Sequence, residues 1–385
     1  MTAYKTDCFF FKNDVPCSWH KNNGVTCADC EYYEGIRGRI LIIKLDAIGD
    51  VMRTTFILPA LKRAYPASHI TWITRANALQ VLENNPLINE AIAYESPDCQ
   101  LCLATTDFDL CLSLDPSPVS AKIAYLARAR EKRGFVWEQT AVRPTNAGAM
   151  RWFDMGLSDA LKKDNTDYYQ SIFKKILGLE IPEAEYKPVF ALKKVEMEAA
   201  TAWASKKGIS AENLVVGFNV GAGGRWPLKR WRADGFFDLI SKILPAYPSL
   251  ECLLLGGPEE EQIIKGLVDR FSSSRVVSSG TRNSIREFAA IVDLCDVVVT
   301  GDTLGLHIAL ALDKYVIGVF GPTSAPEIYA ARGEKIVSPI ECACCYKKNC
   351  DMKTNCMDLI TTDRMLKAVK DAVAVLEMER GKAPV

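Results

Sequence analysis

Apolar residues fall into compact runs from residue 37 onward, and segments with helical spacing separate these runs. Uninterrupted apolar runs are typical of buried parallel strands, whereas apolar residues three and four positions apart predict amphipathic helices. The predicted strands are RGRILIIKL (37–45), HITWIT (69–74), EAIAY (90–94), DLCLSLD (109–115), LVVGFNV (214–220), LECLLLG (250–256), RVVSSG, DVVVTGD (296–302) and YVIGVFG (315–321). The predicted helices include VMRTTFILPALKRAYP, SAKIAYLARARE (120–131), DGFFDLISKIL, SIREFAAIVDLC and TDRMLKAVKDAVAVLEME, the last with Thr362 or Asp363 as N-cap. This alternation predicts an α/β fold with doubly wound parallel sheets.

The alternation lapses once, and the gap divides the chain. Residues 136–190 are predicted to be irregular apart from a helix in YYQSIFKKILGL, and the alternation resumes at residue 214. We therefore expect a Cys-rich N-terminal extension over 1–36 and two Rossmann-like domains over 37–195 and 196–385, linked near 190–210. Two facing domains of this kind hold a ligand in the cleft between them, at the carboxyl ends of their strands.

Charge and composition exclude several classes of protein. The 385 residues carry 47 Lys and Arg against 47 Asp and Glu, so no broad basic face for nucleic acid is expected. No apolar run reaches the ~18 residues that a membrane span needs. The N-terminus has no small-residue cleavage site of a signal peptide. We therefore expect a cytoplasmic protein.

Cysteine is concentrated near both ends of the chain, which has 14 of them. Four lie in the extension: Cys8, Cys17, Cys27 and Cys30. Five lie within residues 342–356, and three others lie in apolar runs, where they are expected to pack as small hydrophobic residues: Cys111, Cys252 and Cys295. In a cytosolic setting, clustered cysteines indicate metal or redox chemistry more often than disulfides.

The extension has too little aliphatic content for a core of its own, and such short segments generally need a staple. A structural zinc or iron site at its four cysteines is one prediction. Free thiols packed against the body are the alternative, and the cysteines of 342–356 are a rival or additional set of ligands.

A motif with candidate functional residues follows the first strand of each half. Asp50, in IKLDAIGDV, places a carboxylate at the lip of the expected cleft, or it serves only as a helix N-cap. GAGGRWPLKRW (221–231) combines glycines with Lys229 and Arg230, and close backbone approach with two cations suits a phosphate. The alternative for this second motif is a solvated loop.

Two more motifs follow later strands of the second half. GGPEEE (256–261) offers Glu259 or Glu260 to a ribose diol, although acidic residues in a first helical turn are also favoured by the helix dipole. TGDTLGLH (300–307) runs from a strand directly into a helix, so that amides and the Thr303 hydroxyl face whatever lies at the helix start. His307, one turn further, is either a ligand contact or a packing residue. A basic cluster is expected on a solvated helix face: Lys122, Arg128, Arg130, Lys132 and Arg133.

In this order, the motifs resemble one family, the heptosyltransferases of glycosyltransferase family 9. The resemblance runs from about residue 39 to 375 and is carried by ILIIKLDAIGDV with PALKRAYP, GAGGRWPLKRW, LLLGGPEE, GDTLGLH followed by IALAL, and FGPT (320–323). The segment CACC…C…CMDLI is similar to a Cys-bearing tail of that family, whereas the N-terminal extension lies outside the shared core. The resemblance implies the GT-B fold, with an acceptor-binding N-terminal domain and a nucleotide-sugar-binding C-terminal domain.

The resemblance also implies roles for matching residues. Asp50 matches the aspartate that serves as general base, and Lys229 matches the lysine that contacts the donor diphosphate. The family commonly has Gly directly after Asp-Thr, whereas this chain has Leu304 there and glycine one place later. The implied donor-binding set is Gly221, Lys229, Arg230, Glu259 or Glu260, Asp302, Thr303, Gly305 and His307.

The implied activity is inverting transfer of a heptose or related sugar from an ADP-sugar donor to an acceptor hydroxyl, in lipopolysaccharide core or another surface glycan. Cationic side chains and amides are expected to replace a divalent ion, so no catalytic metal is expected. An acidic, lipid-linked acceptor at the inner face of the cytoplasmic membrane would suit the charges of Arg53, Arg128 and Arg133.

Other interpretations stay open at this point. The acceptor is a glycan, a lipid-linked molecule or a protein, the last making the chain a protein-O-heptosyltransferase. A nucleotide-sugar epimerase of the same fold would consume donor without acceptor. In a non-catalytic nucleotide-sugar or metal sensor, Asp50 would be replaceable without consequence.

Overall fold

The computed structural model describes residues 4–224 and 226–381, and within them the strands form two six-stranded sheets. The first sheet contains β1 (Gly38–Ile43), β2 (Ser68–Thr74), β3 (Glu90–Ala93), β4 (Asp107–Ser113), β5 (Arg128–Glu138) and β6 (Ala141–Pro144). The second contains β7 (Leu214–Asn219), β8 (Leu250–Leu255), β9 (Val276–Ser278), β10 (Val297–Gly301), β11 (Tyr315–Phe320) and β12 (Gly333–Val337). Arg225, inside the motif GAGGRWPLKRW, lies outside the described residues.

The two sheets share one topology. Each has the spatial order third, second, first, fourth, fifth, sixth strand, which is the Rossmann order. Strand pairs within the described residues are parallel, except that β6 runs antiparallel to β5. The predicted pair of doubly wound α/β domains is therefore confirmed.

Helices pack on both faces of the sheets. Successive residues of β1 belong to separate cores, Ile40 and Ile42 to one and Leu41 and Ile43 to the other, which explains the unbroken apolar run. The helices up to residue 177 are α1 (Ser18–Asn23), α2 (Ile48–Thr54), α3 (Ile57–Ala64), α4 (Leu79–Leu82), α5 (Pro97–Thr105), α6 (Pro118–Leu126), α7 (Ala147–Leu157), α8 (Asp159–Lys163) and α9 (Tyr169–Leu177). The others are α10 (Lys194–Lys206), α11 (Ala233–Ala246), α12 (Glu261–Arg270), α13 (Ile285–Asp293), α14 (Leu304–Ala311) and α15 (Thr362–Glu379). No helix of the described part of the chain combines the length and apolarity needed to cross a bilayer.

Four of the five residues of the basic cluster lie on a strand and Lys122 alone lies on α6, so the prediction of a helix over 120–131 is wrong in its second half. α6 ends at Leu126, and β5 begins two residues later. Arg128 pairs with Asp107 (2.7 Å) and Arg130 with Asp109 (3.4 Å), both on the neighbouring β4. Cross-strand ion pairs of this kind favour a strand for a sequence whose charges alternate with small residues.

Four other features also differ from prediction. The stretch predicted to be irregular contains the β5–β6 hairpin and α7, whose first turn Asn146 caps by accepting from the Ala149 N–H. Thr361, one residue earlier than predicted, caps α15 through the Arg364 N–H. The expected link near 190–210 contains α10, and β12 was not predicted at all. The domain limits at 36 and 195 remain predictions.

Buried polar contacts join the two halves of the chain. α14 packs on α2, and α13 packs on α4 and α10. The guanidinium of Arg286, which is 6% exposed, donates to the carbonyls of Gln80 and Glu83 at 3.1 and 3.2 Å. It also pairs with Glu196 of α10 at 2.5 Å. One side chain of the second half therefore binds the first half and the linking helix together.

Candidate functional site

A cavity of about 690 Å³ lies between the two halves, at the carboxyl ends of their strands. Its walls come from the loop after β1 in the first half and from the loops after β7, β8, β10 and β11 in the second. In Rossmann sheets the first and fourth strands flank the point where the strand order reverses, which is where ligands bind. The volume suits a molecule of nucleotide-sugar size.

Asp50 lies at this cavity in the first turn of α2. Its Oδ2 accepts a hydrogen bond from the Ala47 N–H at 3.1 Å, so Asp50 does cap the helix, as one interpretation of the sequence held. Its Oδ1 pairs with Arg53 at 2.7 Å, and the Asp50 side chain keeps 34% of its surface exposed. The carboxylate therefore caps the helix and also faces the cavity.

The Asp50 carboxyl is held in its charged form. Burial alone would raise its pKa, but the Arg53 guanidinium and the Lys44 ammonium, with the Ala47 N–H, hold the pKa of Asp50 well below its usual range. Lys44 is 5% exposed and pairs with Asp115, whose charge keeps the pKa of Lys44 raised despite burial. The sequence motif therefore includes its own buried cation six residues before Asp50.

Arg53 connects Asp50 to the second half of the chain. Its Nη1 lies 3.5 Å from Glu327 Oε2, and its guanidinium lies 3.8 Å from the centre of the Tyr169 ring. Burial raises the pKa of Glu327, and the charges of Asp302 and Asp50 raise it further, against the opposing effect of Arg53. Two carboxylates thus share one arginine across the cleft.

Lys229 lies on the opposite wall and contacts the residue that precedes α14. Its Nζ donates to Asp302 Oδ2 at 2.9 Å and to the Asp302 carbonyl at 3.0 Å, and both side chains are less than one fifth exposed. Burial would raise the pKa of Asp302, but Lys229 beside it lowers that pKa. The cation is thereby fixed at the N-terminus of α14, where an anion is favoured by the helix dipole.

The start of α14 is tightly packed. Asn219 Nδ2 donates to the hydroxyls of Thr300 and Thr303, both at 2.9 Å. A Cβ at Gly305 would come within 2.7 Å of the Asn219 side chain, so only glycine fits there. This close approach accounts for the glycine at position 305.

His307 closes the cavity between the halves. The side chain is 5% exposed, and a Cβ at Gly49 of the first half would lie 2.7 Å from its Cδ2. Burial lowers the pKa of His307 to about 4, and Arg53 adds to this effect, so the imidazole is neutral at neutral pH. It is therefore available as a hydrogen-bonding group and not as a cation.

Glu260 lines the cavity, and Glu259 is exposed outside it. Glu260 is 4% exposed; its Oε1 accepts from the Gly223 N–H at 3.2 Å and its Oε2 from the Gly257 N–H at 2.9 Å. Gly221 lies against the same carboxyl, since a Cβ there would come within 2.3 Å of it. The predicted acidic position is therefore built into the glycine loop.

Three predicted arginines do not line the cavity. Arg128 lies at the start of β5 and pairs with Asp107, at the other end of the sheet from the carboxyl edge. Arg133 donates to the Leu177 carbonyl and pairs with Glu131, and Arg230 follows Lys229 without reaching the cavity wall. Only Arg53 of the expected acceptor-binding set lies at the cavity, because the strand carries the others away from it.

Three further residues that line the cavity were not singled out by the sequence analysis. Thr323 ends the FGPT segment after β11 and Glu327 lies four residues further on; the buried Thr323 hydroxyl has no hydrogen-bond partner among the described residues. Tyr346 comes from the Cys-bearing segment and donates from its hydroxyl to Glu327 Oε1 at 3.3 Å. The FGPT motif after a strand was a usable signal for the first two, whereas the sequence offered none for Tyr346.

The cysteines are free thiols throughout the described chain. Cys111, Cys252 and Cys295 are fully buried, and burial raises the pKa of each to about 12, which confirms them as small hydrophobic residues. Within residues 4–224 and 226–381, no three His, Cys, Asp or Glu side chains are arranged to hold one metal ion. The metal predicted at the extension cysteines is not confirmed by this.

The chain is similar to known proteins in both sequence and structure. The model of glycosyltransferase family 9 (heptosyltransferase) matches residues 101–355. Lipooligosaccharide heptosyltransferase 2 of Haemophilus influenzae is 24% identical over 307 residues, which cover 74% of this chain and 84% of the relative. The family-model match includes the loops after β7, β8, β10 and β11, which line the cavity.

Solved structures have the same fold. The glycosyltransferase family 9 crystal structure from Veillonella parvula superposes with a TM-score of 0.72 at 19% identity, covering 88% of this chain and 98% of that one. Escherichia coli heptosyltransferase WaaC with ADP-2-deoxy-2-fluoro heptose superposes with a TM-score of 0.58 at 17% identity, covering 86% and 99%. With the family model matched over more than half of its length, the chain belongs to glycosyltransferase family 9 (heptosyltransferase), and it is a glycosyltransferase with the GT-B fold.

Proposed function

We propose that this enzyme transfers a heptose, or a closely related sugar, from an ADP-sugar to an acceptor hydroxyl with inversion at the anomeric carbon. The observation that carries the proposal is the arrangement of one cavity, with the carboxylate Asp50 on one wall and the cation Lys229 at a helix N-terminus on the other. The names of the similar proteins, which act with ADP-heptose or on lipooligosaccharide, supply the donor and acceptor class.

The second half binds and activates the donor. The diphosphate gains negative charge as the sugar leaves, and Lys229 with the amides at the start of α14 is fixed in advance where that charge develops. The Thr323 hydroxyl, buried without a partner among the described residues, supplies a further donor to phosphate or sugar oxygens. Glu260 accepts from the ribose hydroxyls, and Ile285 and Phe288 form an apolar wall for the base.

The first half activates the acceptor. A neutral hydroxyl is a poor nucleophile, and Asp50 removes its proton as it attacks, an effect of about 10²–10⁴ in rate. A carboxylate with so low a pKa is a weak base, so the attraction between Arg53 and Asp50 must weaken for Asp50 to accept a proton. Glu327 weakens it, because its carboxylate competes with Asp50 for the same guanidinium. Attack from the face opposite the diphosphate in a single step inverts the anomeric carbon.

A panel of nucleotide sugars tests the proposal directly. We expect ADP to be released from ADP-heptose only when an acceptor, such as a lipopolysaccharide core lacking heptose, is present. ADP release accompanied by a new glycosidic linkage of opposite anomeric configuration supports the proposal. Donor conversion without acceptor would instead identify an epimerase, and a retained configuration would overturn the inverting mechanism.

The same reaction is expected to continue in EDTA. Lys229 and the α14 amides stabilise the charge that develops on the leaving diphosphate, which is the role that a divalent ion would otherwise have. The rate with and without added Mg²⁺ is the measurement. A strict requirement for Mg²⁺ would contradict this account of the leaving group.

The acid limb of the pH profile is expected to belong to Glu327. Its pKa is raised, whereas that of Asp50 is far below the usual range, so Glu327 is the first of the two to be protonated as pH falls. Protonation frees Arg53 to pair with Asp50 alone, and kcat/KM falls. The limb should therefore lie above the ordinary glutamate pKa of about 4.3.

Glu327→Gln replaces the carboxylate by a neutral amide and so reproduces, at every pH, the uncharged Glu327 of low pH. We expect roughly a threefold to tenfold loss of kcat/KM at neutral pH, since a change of one pKa unit in a general base alters rate by up to about tenfold. The acid limb should vanish from the profile. Glu341→Gln, at an exposed position outside the cavity, is the matched control and should keep the limb. An unchanged limb in Glu327→Gln would assign it to another group.

A further inference from the structure

The N-terminal extension is organised around a cavity and not around a packed core. None of residues 4–36 is buried, although the segment has a defined path. Its two ends are joined by hydrogen bonds from the Phe9 N–H to the Glu34 carbonyl at 2.9 Å and from the Ile36 N–H to the Asp7 carbonyl at 2.7 Å. Between these ends lies a cavity of about 430 Å³. So few buried contacts do not hold a segment of this length together.

All four extension cysteines line this one cavity: Cys8, Cys17, Cys27 and Cys30. They come from separate parts of the segment. Cys8 forms an isolated antiparallel β-bridge with Gly35 through its backbone, Cys17 caps α1, and Cys27 and Cys30 follow that helix. Each side chain is partly exposed and unpaired. Four thiols from three stretches of chain therefore converge on one space.

The remaining wall is aromatic and contains an unsatisfied donor. Trp19 stacks on Tyr32 with ring centres 4.0 Å apart and meets Phe10 edge-on at 5.8 Å. The Trp19 Nε1–H is buried and finds no acceptor among the described residues. His20 is committed elsewhere through Nδ1, which lies 2.9 Å from the Val25 carbonyl. A buried N–H at such a wall is suited to an acceptor located inside the cavity.

The size of the space distinguishes between metal centres. A single zinc ion holds four thiolates at about 2.3 Å each, so its ligands close in on the ion and leave no space between them. Here the four cysteines share the lining of a space of about 430 Å³ with 14 other residues, and no three of the described candidate ligands are arranged to hold one ion. A cubane cluster binds each thiolate through a different iron, so its ligands stand further apart and its sulfides accept hydrogen bonds.

We propose that the N-terminal extension binds a [4Fe–4S] cluster through Cys8, Cys17, Cys27 and Cys30, with the Trp19 N–H donating to a cluster sulfur. The cluster fills the cavity that four thiols and six aromatic side chains line, and it stabilises a segment that lacks an aliphatic core. This site is separate from the sugar-transfer cavity, with which it shares no lining residue.

Anaerobic purification of the full chain tests the proposal. We expect about four iron atoms and about four acid-labile sulfides per chain, with broad visible absorption that bleaches on reduction. This ratio is measured on the unaltered protein, so it does not depend on the folding of any variant. Stoichiometric zinc without sulfide, iron without sulfide, or no metal after reconstitution with iron and sulfide would each overturn the proposal.

Variants then locate the cluster. Cys27→Ser with Cys30→Ser should lose iron and sulfide together, whereas Cys102→Ser, a half-buried cysteine of α5, should retain both. His20→Ala should also retain the cluster. Retention in the Cys27 and Cys30 double variant, or loss in His20→Ala, would contradict the all-cysteine ligand set. Loss on replacing Cys345 and Cys350 by Ser would move the cluster to the C-terminal cysteines and overturn the assignment.

Discussion

Asp50→Asn is expected to bind ADP as the unaltered enzyme does and to lose sugar transfer by at least ~10²-fold, the usual effect of removing a general base. The amide oxygen of Asn still accepts from the Ala47 N–H, so the cap of α2 and the fold are retained. The amide cannot take a proton from the acceptor hydroxyl. Transfer rates and calorimetric ADP affinity, measured on the same preparation, separate the two effects.

Asp98→Asn provides the control for this substitution. Asp98 is an exposed carboxylate in the first turn of α5, outside the cavity, so the same chemical change should leave transfer intact. Near-normal turnover in Asp50→Asn would reduce Asp50 to a helix cap. Loss of ADP affinity together with transfer would instead show that the variant has disturbed the cavity.

Lys229→Ala is expected to weaken ADP binding as well as transfer. A charge-assisted hydrogen bond contributes about 1.5–3 kcal/mol, which corresponds to roughly tenfold to 150-fold in affinity. The substitution also leaves the buried carboxylate of Asp302 without its cation, and this negative charge then repels the diphosphate. The loss should therefore lie toward the upper end of that range.

Calorimetry with ADP measures this effect, with adenosine as the comparison ligand. Adenosine has no phosphate, so its weaker binding should be unaffected by Lys229→Ala. Lys265→Ala, at an exposed position of α12, is the matched control and should bind ADP normally. An unchanged ADP dissociation constant in Lys229→Ala would reject the assignment of Lys229 to the diphosphate.

The sheets could be predicted because their strands carry their own signal. β1 and β7 are buried on both faces, so nearly every residue is apolar whatever its partner. β5 carries no such signal, because its charges are satisfied only by Asp107 and Asp109 of the next strand. A strand that is stabilised mainly by side chains of the neighbouring strand cannot be identified from its own residues.

The candidate site divides in the same way. Asp50, Lys229 and Glu260 follow strands in glycine-containing turns, so local sequence predicted them at the cavity. Glu327 pairs with Arg53 from about 270 residues away in the chain, and Tyr346 in turn donates to Glu327, so no local sequence pattern records either contact. Arg128 illustrates the same limit, since its charge suggested an acceptor contact, whereas the start of β5 lies away from the cavity.

The shared strand order of the two sheets has a consequence for how such an enzyme diversifies. In the proposed function, the donor contacts come from loops of the second sheet and the base comes from a loop of the first, so we expect either substrate to be exchangeable by altering one half. Glu327 is the exception, because it belongs to the second half and pairs with Arg53 of the first. Any lineage that recombines halves must therefore carry a compatible residue at this position, since Arg53 would otherwise bind Asp50 unopposed.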